Sequence, residues 1–328
     1  MKAYVIEQSG GPEVLQLRDI ASPEPGADEV QIRVRAFGLN RAEVYRRLGR
    51  MGPISGQVVP GIEAVGEVIR DPLGLFRTGQ RVATAMGGLQ FSRNGSYAEQ
   101  VTVLRQNVVS LDNSDLPWDE LAALPEAYLT VWGALDRSLA IQAGQTLLVR
   151  GATSSVGLAA VTYAKARGLR VVATTRSTAN RQRLQEMGAD AVVVDTGEIA
   201  PQVREIAPSG VDAVLEVVGA ATLRDSIRTV RPFGGVSVIG LLGGPPLLEQ
   251  FQLMQDLPGA VRLNFFPSGL LGTPAMPLQE SPLPWIAGEV AGGRMPSLRS
   301  STFDFDDVRR AHSLIESDRA LGKFVVRL

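Results

Sequence analysis

No cysteine occurs in the 328 residues, and His312 is the single histidine. Without a thiol the chain can form no disulfide, carry no thiol nucleophile and build no cysteine-ligated zinc site. The same absence fits a reducing cytosol. Net charge is also nearly absent: 33 basic and 34 acidic side chains leave −1, which gives no electrostatic case for nucleic acid or a membrane surface as partner. The local cluster Arg46, Arg47 and Arg50 reads as a solvated helix face. No run approaches the roughly 20 apolar residues that span a bilayer, and Met1–Glu7 lacks the apolar core of a signal peptide. The expectation is a soluble cytoplasmic protein.

What is present is material for substantial cores, with 45% hydrophobic and 20% charged residues. The length favours two domains. In the first third, Ala3–Glu7, Ala64–Ile69 and Arg81–Ala85 read as short strands, and Glu29–Ala36 alternates strictly. Strict alternation implies a sheet with one buried and one wet face, as in antiparallel barrels. Arg41–Leu48 reads as a short helix and Leu121–Ala140 as a longer one.

From Thr146 the texture changes. Strands at Thr146–Arg150, Arg170–Thr175, Ala191–Val194 and Asp212–Val217 are separated by helical patterns at Ser155–Arg167 and Ala179–Met187 and by a further helix. Leu223–Val230 and Val236–Ile239 close the series. Such alternation argues for a parallel sheet covered on both faces. A helix at Asp304–Ser317, with Asp306 and Asp307 at its start, and a strand at Gly322–Val326 return to mixed character. The expected class is α/β: a Rossmann, doubly wound parallel domain inserted into a mainly antiparallel β-barrel domain. His312 falls among Val308, Ala311 and Ile315, which predicts a structural, partly buried imidazole. Trp118, Trp132 and Trp285 read as packing residues.

Between the strand at Thr146 and the helix near Ser155 lies Gly151-Ala152-Thr153-Ser154-Ser155-Val156-Gly157. A turn there places backbone N–H groups and a helix N-terminus where a pyrophosphate can sit. Against the G-x-G-x-x-G pattern the segment supplies Ala152, Ser154 and Gly157, so by itself it also fits an ordinary tight βα turn. About twenty residues on, where an NAD site carries an acid for the ribose hydroxyls, stand Thr175, Arg176 and Ser177, with Arg181 beyond. Cations and hydroxyls suit a 2′-phosphate, which favours NADPH; plain surface charge is the alternative.

Further motifs accumulate in order. They are Gly61-Ile62-Glu63-Ala64-Val65-Gly66-Glu67-Val68, Gly79-Gln80-Arg81-Val82, Gly95-Ser96-Tyr97-Ala98-Glu99, Leu124-Pro125 with Leu129-Thr130, Gly234-Gly235-Val236 through Gly240, and Gly322-Lys323. Together they resemble the zinc-independent quinone oxidoreductases, the zeta-crystallin-like branch of the medium-chain dehydrogenase/reductase superfamily, over nearly the whole length. The resemblance implies a GroES-like domain over residues 1–122 and 268–328, a Rossmann NADPH-binding domain over 123–267, and a homodimer. Zinc-binding cousins place a Cys near Asn40 and a His at the position of Ile62, so the resemblance implies no metal. It further implies Asn40 and Tyr45 at the substrate, and Thr130 beside the nicotinamide. Val218, Gly219, Ile239, Gly240 and Leu241 would bracket the nicotinamide end, Phe265 and Phe266 would lie near the cleft and the dimer-forming edge, and Phe265 and Lys323 would bind the cofactor. A second family tyrosine falls near Met51 here. The implied activity is hydride transfer from NADPH to a quinone or α,β-unsaturated carbonyl. An enoyl-thioester reductase and a non-catalytic NADPH-binding, crystallin-like protein are the alternatives. The loops Arg50–Gln57 and Pro267–Pro284 carry no readable chemical signature.

Overall fold

The computed structural model describes residues 1–317 and 321–328. In chain order its strands are β1 (Lys2–Val5), β2 (Gln16–Asp19), β3 (Glu29–Gly38), β4 (Glu63–Arg70), β5 (Arg81–Ala85), β6 (Gln100–Leu104), β7 (Val109–Ser110), β8 (Thr146–Arg150), β9 (Arg170–Thr175), β10 (Ala191–Val194), β11 (Val211–Glu216), β12 (Val230–Val238), β13 (Arg262–Phe265), β14 (Arg299–Asp304) and β15 (Lys323–Arg327). The α-helices are α1 (Arg41–Arg47), α2 (Trp118–Leu121), α3 (Pro125–Trp132), α4 (Ser155–Ala166), α5 (Arg181–Glu186), α6 (Ala200–Ile206), α7 (Ala220–Arg228), α8 (Leu253–Asp256), α9 (Leu283–Ala291) and α10 (Val308–Glu316). No described helix is long and apolar enough to cross a membrane.

The chain divides into two compact units, one of Met1–Leu129, Gly269–Gly293 and Ser297–Leu328, the other of Thr130–Ser268 with Arg294–Pro296. The first unit is the GroES-like one. Its main sheet runs β14-β15-β3-β4-β5-β7, with β6 also on β3. All of these pairings are antiparallel except β14 with β15. Strand β3 organises the sheet: one edge pairs with β4, and the other is shared by β6 over Glu29–Arg33 and β15 over Ala36–Gly38. Its alternation places Val30, Ile32 and Val34 in a core with Val68, Val82, Val101 and Val326.

His312 lies within that core, 1% exposed, its Nε2 at 3.0 Å from the Tyr97 hydroxyl. Burial, and then the charge of Arg47, hold the imidazole down at about 3. Its folded pKa lies below the unfolded value, so its stabilisation is complete above about 6.5 and is lost as pH falls toward 3. The expected slope is roughly 1 kcal/mol per pH unit within that window. His312→Gln, which keeps a partner for Tyr97, should flatten the dependence of Tm on pH between 6.5 and 4.5. An unchanged slope would assign the acid sensitivity to other groups.

The second unit is a six-stranded sheet in the order β10-β9-β8-β11-β12-β13, parallel throughout. Leu148, Val172, Val193, Val214 and Val236 from five of its strands meet Val203, Leu223 and Ile227 from α6 and α7. Strand β13 extends the sheet at the β12 edge; it is too short and too mixed to read from periodicity.

Several expectations change. The continuous helix Leu121–Ala140 is instead α2, a break, α3 and a π-helical turn at Gly133–Ser138. Pro125 accounts for the break: it lacks a donor and cannot continue a preceding helix, but it suits a first turn. The helix at Asp304–Ser317 begins only at Val308, because Asp304 still belongs to β14 and Phe305–Asp307 forms a 3-10 turn. The helix at Ala179–Met187 begins at Arg181, after a 3-10 turn. Arg46 and Arg47 are buried, not solvated. Arg46 donates to the carbonyls of Gly52 and Pro53, and Arg47 to Gly10 O and Glu316. Trp285 is 39% exposed and does not pack in a core.

Candidate functional site

In the second unit the expected cofactor residues gather at the carboxyl ends of adjacent strands, where ligands of open parallel sheets bind. Gly151 leaves β8 with φ +86° and donates its N–H to Thr174 Oγ1 at 3.1 Å. Ser154 caps α4: its Oγ accepts from Gly157 N at 3.0 Å and donates to Gly151 O at 2.9 Å. That explains a serine where the common pattern has glycine, because the hydroxyl ties the turn shut. Gly157 is indispensable, since a Cβ there would fall 2.4 Å from Gly151 O. The first-turn N–H groups of Ser155 and Val156 have no carbonyl inside the helix to bind. Ala152 is buried, whereas Thr153 is partly open.

The neighbouring loops complete this end of the sheet. Gly219 lies against Gly240 and Leu241, and Gly151 against Val217 and Val218. Ile239 N binds Glu216 O at 2.9 Å. Thr175 Oγ1 accepts from Ser177 N and Asn180 Nδ2, both at 3.2 Å, and Ser177 Oγ caps the following 3-10 turn. Arg176 and Arg181 stand exposed beside them with no ion pair among the described residues. Thr130 is buried near the end of α3. Phe265 is 54% exposed on β13, whereas Phe266 is buried against Gly133.

Two residues that the sequence reading passed over hold this end together. Arg150 is fully buried. It makes a two-pronged contact with Asp195 at 2.8 and 3.0 Å, and it also donates to Asp225 at 2.8 Å, Ser226 Oγ and the carbonyls of Thr222 and Gly197. Burial opposes its charge, but the three surrounding carboxylates raise its pKa above the ordinary arginine value. Glu216 turns Oε1 to the N–H groups of Val218 and Gly219 at 2.7 and 3.0 Å and accepts Ser226 Oγ on Oε2. The available signal was a charged residue ending an otherwise apolar strand.

In the first unit Asn40 caps α1, and its carboxamide is fully engaged. Nδ2 donates to Glu63 Oε1 at 2.8 Å and to Glu43 Oε1 at 3.3 Å, and Oδ1 accepts from Lys323 Nζ at 2.5 Å. Glu43 returns the cap, with Oε2 at 2.7 Å from Asn40 N. Lys323, expected at the cofactor, is completely buried and paired with Glu63 at 2.6 Å. A buried and paired ammonium has no surface to offer a nucleotide, so that expectation is withdrawn. Tyr45, on α1, is partly exposed, its ring 5.8 Å from the Arg50 guanidinium and its hydroxyl without a hydrogen bond among the described residues. Of the substrate-side pair, it is the one with a free polar atom.

The donor set does not fit zinc. Ile62 contributes an alkyl side chain, Asn40 and Glu63 already face an internal ammonium, and no group of three potential ligands exists among the described residues. This matters because the family models that match are an alcohol dehydrogenase GroES-like domain over residues 26–113 and a zinc-binding dehydrogenase over residues 155–261. A quinone oxidoreductase of Pseudomonas aeruginosa is 32% identical over 243 residues, covering 72% of each chain. The human quinone oxidoreductase is 28% identical over 336 residues, covering 100% of this chain and 98% of its own. A mycobacterial protein solved in complex with NADPH superposes with a TM-score of 0.82 at 27% identity, covering 100% of both chains. The chain belongs to the medium-chain dehydrogenase/reductase superfamily of oxidoreductases, in its quinone oxidoreductase group.

Proposed function

We propose that the protein transfers a hydride from NADPH to a quinone or an α,β-unsaturated carbonyl without a metal. The observation that carries this reading is the Gly151–Gly157 turn: its backbone needs glycine at both ends, and no acid but Arg176, with Arg181 nearby, stands at the end of the next strand. A carboxylate there would repel a 2′-phosphate, and two cations attract it. The N-terminus of α4 would hold the pyrophosphate, and the loops at Val218–Gly219 and Ile239–Leu241 would flank the nicotinamide. When bound, NADPH supplies the hydride. The chain's own residues hold the reactants in register and exclude water. The Tyr45 hydroxyl is the donor proposed for the oxygen on which charge develops.

Steady-state oxidation of NADPH with a panel of quinones, enones and acyl thioesters tests the reading. Turnover of quinones or enones is expected. Turnover of the thioesters alone would make the protein an enoyl-thioester reductase, and tight NADPH binding with no turnover would make it a binding protein.

A further inference from the structure

One carboxylate of the first unit fastens the starts of two helices. Glu63 Oε1 takes Asn40 Nδ2, the cap of α1, and the Lys323 ammonium; Glu63 Oε2 takes the Glu126 N–H at 2.8 Å, in the first turn of α3. Helix α1 carries Tyr45, and α3 carries Thr130. Glu43, Glu63 and Lys323 are each 0% exposed and Asn40 is 8% exposed.

We propose that Lys323 is a positioning residue for the hydride transfer inferred above: its buried ammonium holds Glu63 in the orientation that anchors α1 and the start of α3, and so places Tyr45, and it does not touch the cofactor. The proposal rests on the hydride-transfer reading for its catalytic consequence only. The chemistry follows from charge. Two carboxylates and one ammonium share a fully buried cluster, and an unmatched buried charge is strongly unfavourable. Burial pushes Glu43 up to about 7, with Lys323 opposing and Glu63 adding to that rise. Other groups facing the cluster are Glu126 on α3 and the Tyr97 phenol, itself raised by burial and by both carboxylates, with Arg47 beyond it. Without Lys323 the buried carboxylates bind a proton more readily. The fit is also tight. A Cβ on Gly38 would fall 2.4 Å from Lys323 Cε and 2.5 Å from Glu63 Oε1, so the backbone of β3 leaves room for this pair and nothing larger.

The test uses full-length Lys323→Met. Its Kd values for NADPH and NADH, read by nucleotide fluorescence, should keep the wild-type ratio within about twofold, while kcat for the best quinone falls about tenfold or more. Its Tm should lie well below wild type at pH 8, with the gap narrowing toward pH 5.5. A carboxylate whose folded pKa is raised stabilises at low pH, and that stabilisation is lost as pH rises. A selective loss of NADPH affinity would put the ammonium on the 2′-phosphate and overturn the proposal. A wild-type Tm at pH 8 would overturn it as well. Gly38→Ala crowds the same pair with its charges intact; it should lower kcat and Tm without recovery at pH 5.5, and unchanged values would count against the proposal. If the wild type turns over no acceptor, hydride transfer fails, while the Kd ratio and the pH-dependent Tm still decide the role of Lys323.

Discussion

Arg176→Ala is expected to raise the Kd for NADPH about ten- to a hundredfold and to leave that for NADH within about twofold. The selectivity follows from what the side chain faces. Arg176 follows β9 directly, beside the Gly151 turn, where Thr174 Oγ1 receives the Gly151 N–H, and it is exposed with no ion pair of its own among the described residues. Asp195, whose carboxylate senses the Arg176 charge, is already held by Arg150 and by Gly197 N. The Arg176 guanidinium is therefore uncommitted, and a phosphate on the 2′-oxygen is the group that would engage it. Because the contact is exposed, the NADPH preference should also weaken with added salt. Arg181→Ala should have a smaller effect of the same kind. Equal weakening of both nucleotides by Arg176→Ala would show that the side chain does not read the 2′ position.

Arg150→Met should be the most destabilising single change in the second unit, at about 3–5 kcal/mol. Methionine fills much of the space, so the loss is chiefly electrostatic. Asp195 and Asp225 would be left buried without their cation, and the carbonyls of Thr222 and Gly197 without a donor. Urea unfolding followed by circular dichroism measures the effect. Adding Asp225→Asn to Arg150→Met should recover part of it, because one orphaned charge is removed, whereas Asp225→Asn alone should be harmful. A loss below about 1 kcal/mol for Arg150→Met would mean that water reaches the cluster and that the network is not the fastening it is taken to be.

The pattern of what the sequence discloses has a physical cause. Residue periodicity reports burial, so the alternation of Glu29–Ala36 and the apolar runs of β8, β9, β10 and β11 announce the two sheets. Pro125 also signals the break between α2 and α3, but only when weighed as a helix start. Strands β2 and β13 are short and mixed in polarity, and each is fixed by pairing with the strand before it and not by a pattern of its own. Side-chain direction is harder still. Asn40, Arg150 and Lys323 each meet partners many residues away, and no local pattern says that an amide at a helix start turns inward or that a lysine near the chain's end is buried. The Gly151–Gly157 turn was locatable because strand, small residues and helix are contiguous; the reason for its serines was not, because it lies in the hydroxyl geometry.

The most direct measurement is NADPH oxidation with a quinone by protein dialysed against chelator, with bound metal counted in the same sample. Full turnover is expected at far less than one metal ion per chain, since Asn40, engaged by Glu63 and Lys323, and the alkyl side chain of Ile62 stand where ligands would be needed. Activity that disappears with the metal and returns with zinc would contradict the metal-free assignment, and no turnover at any metal content would contradict the hydride-transfer reading itself.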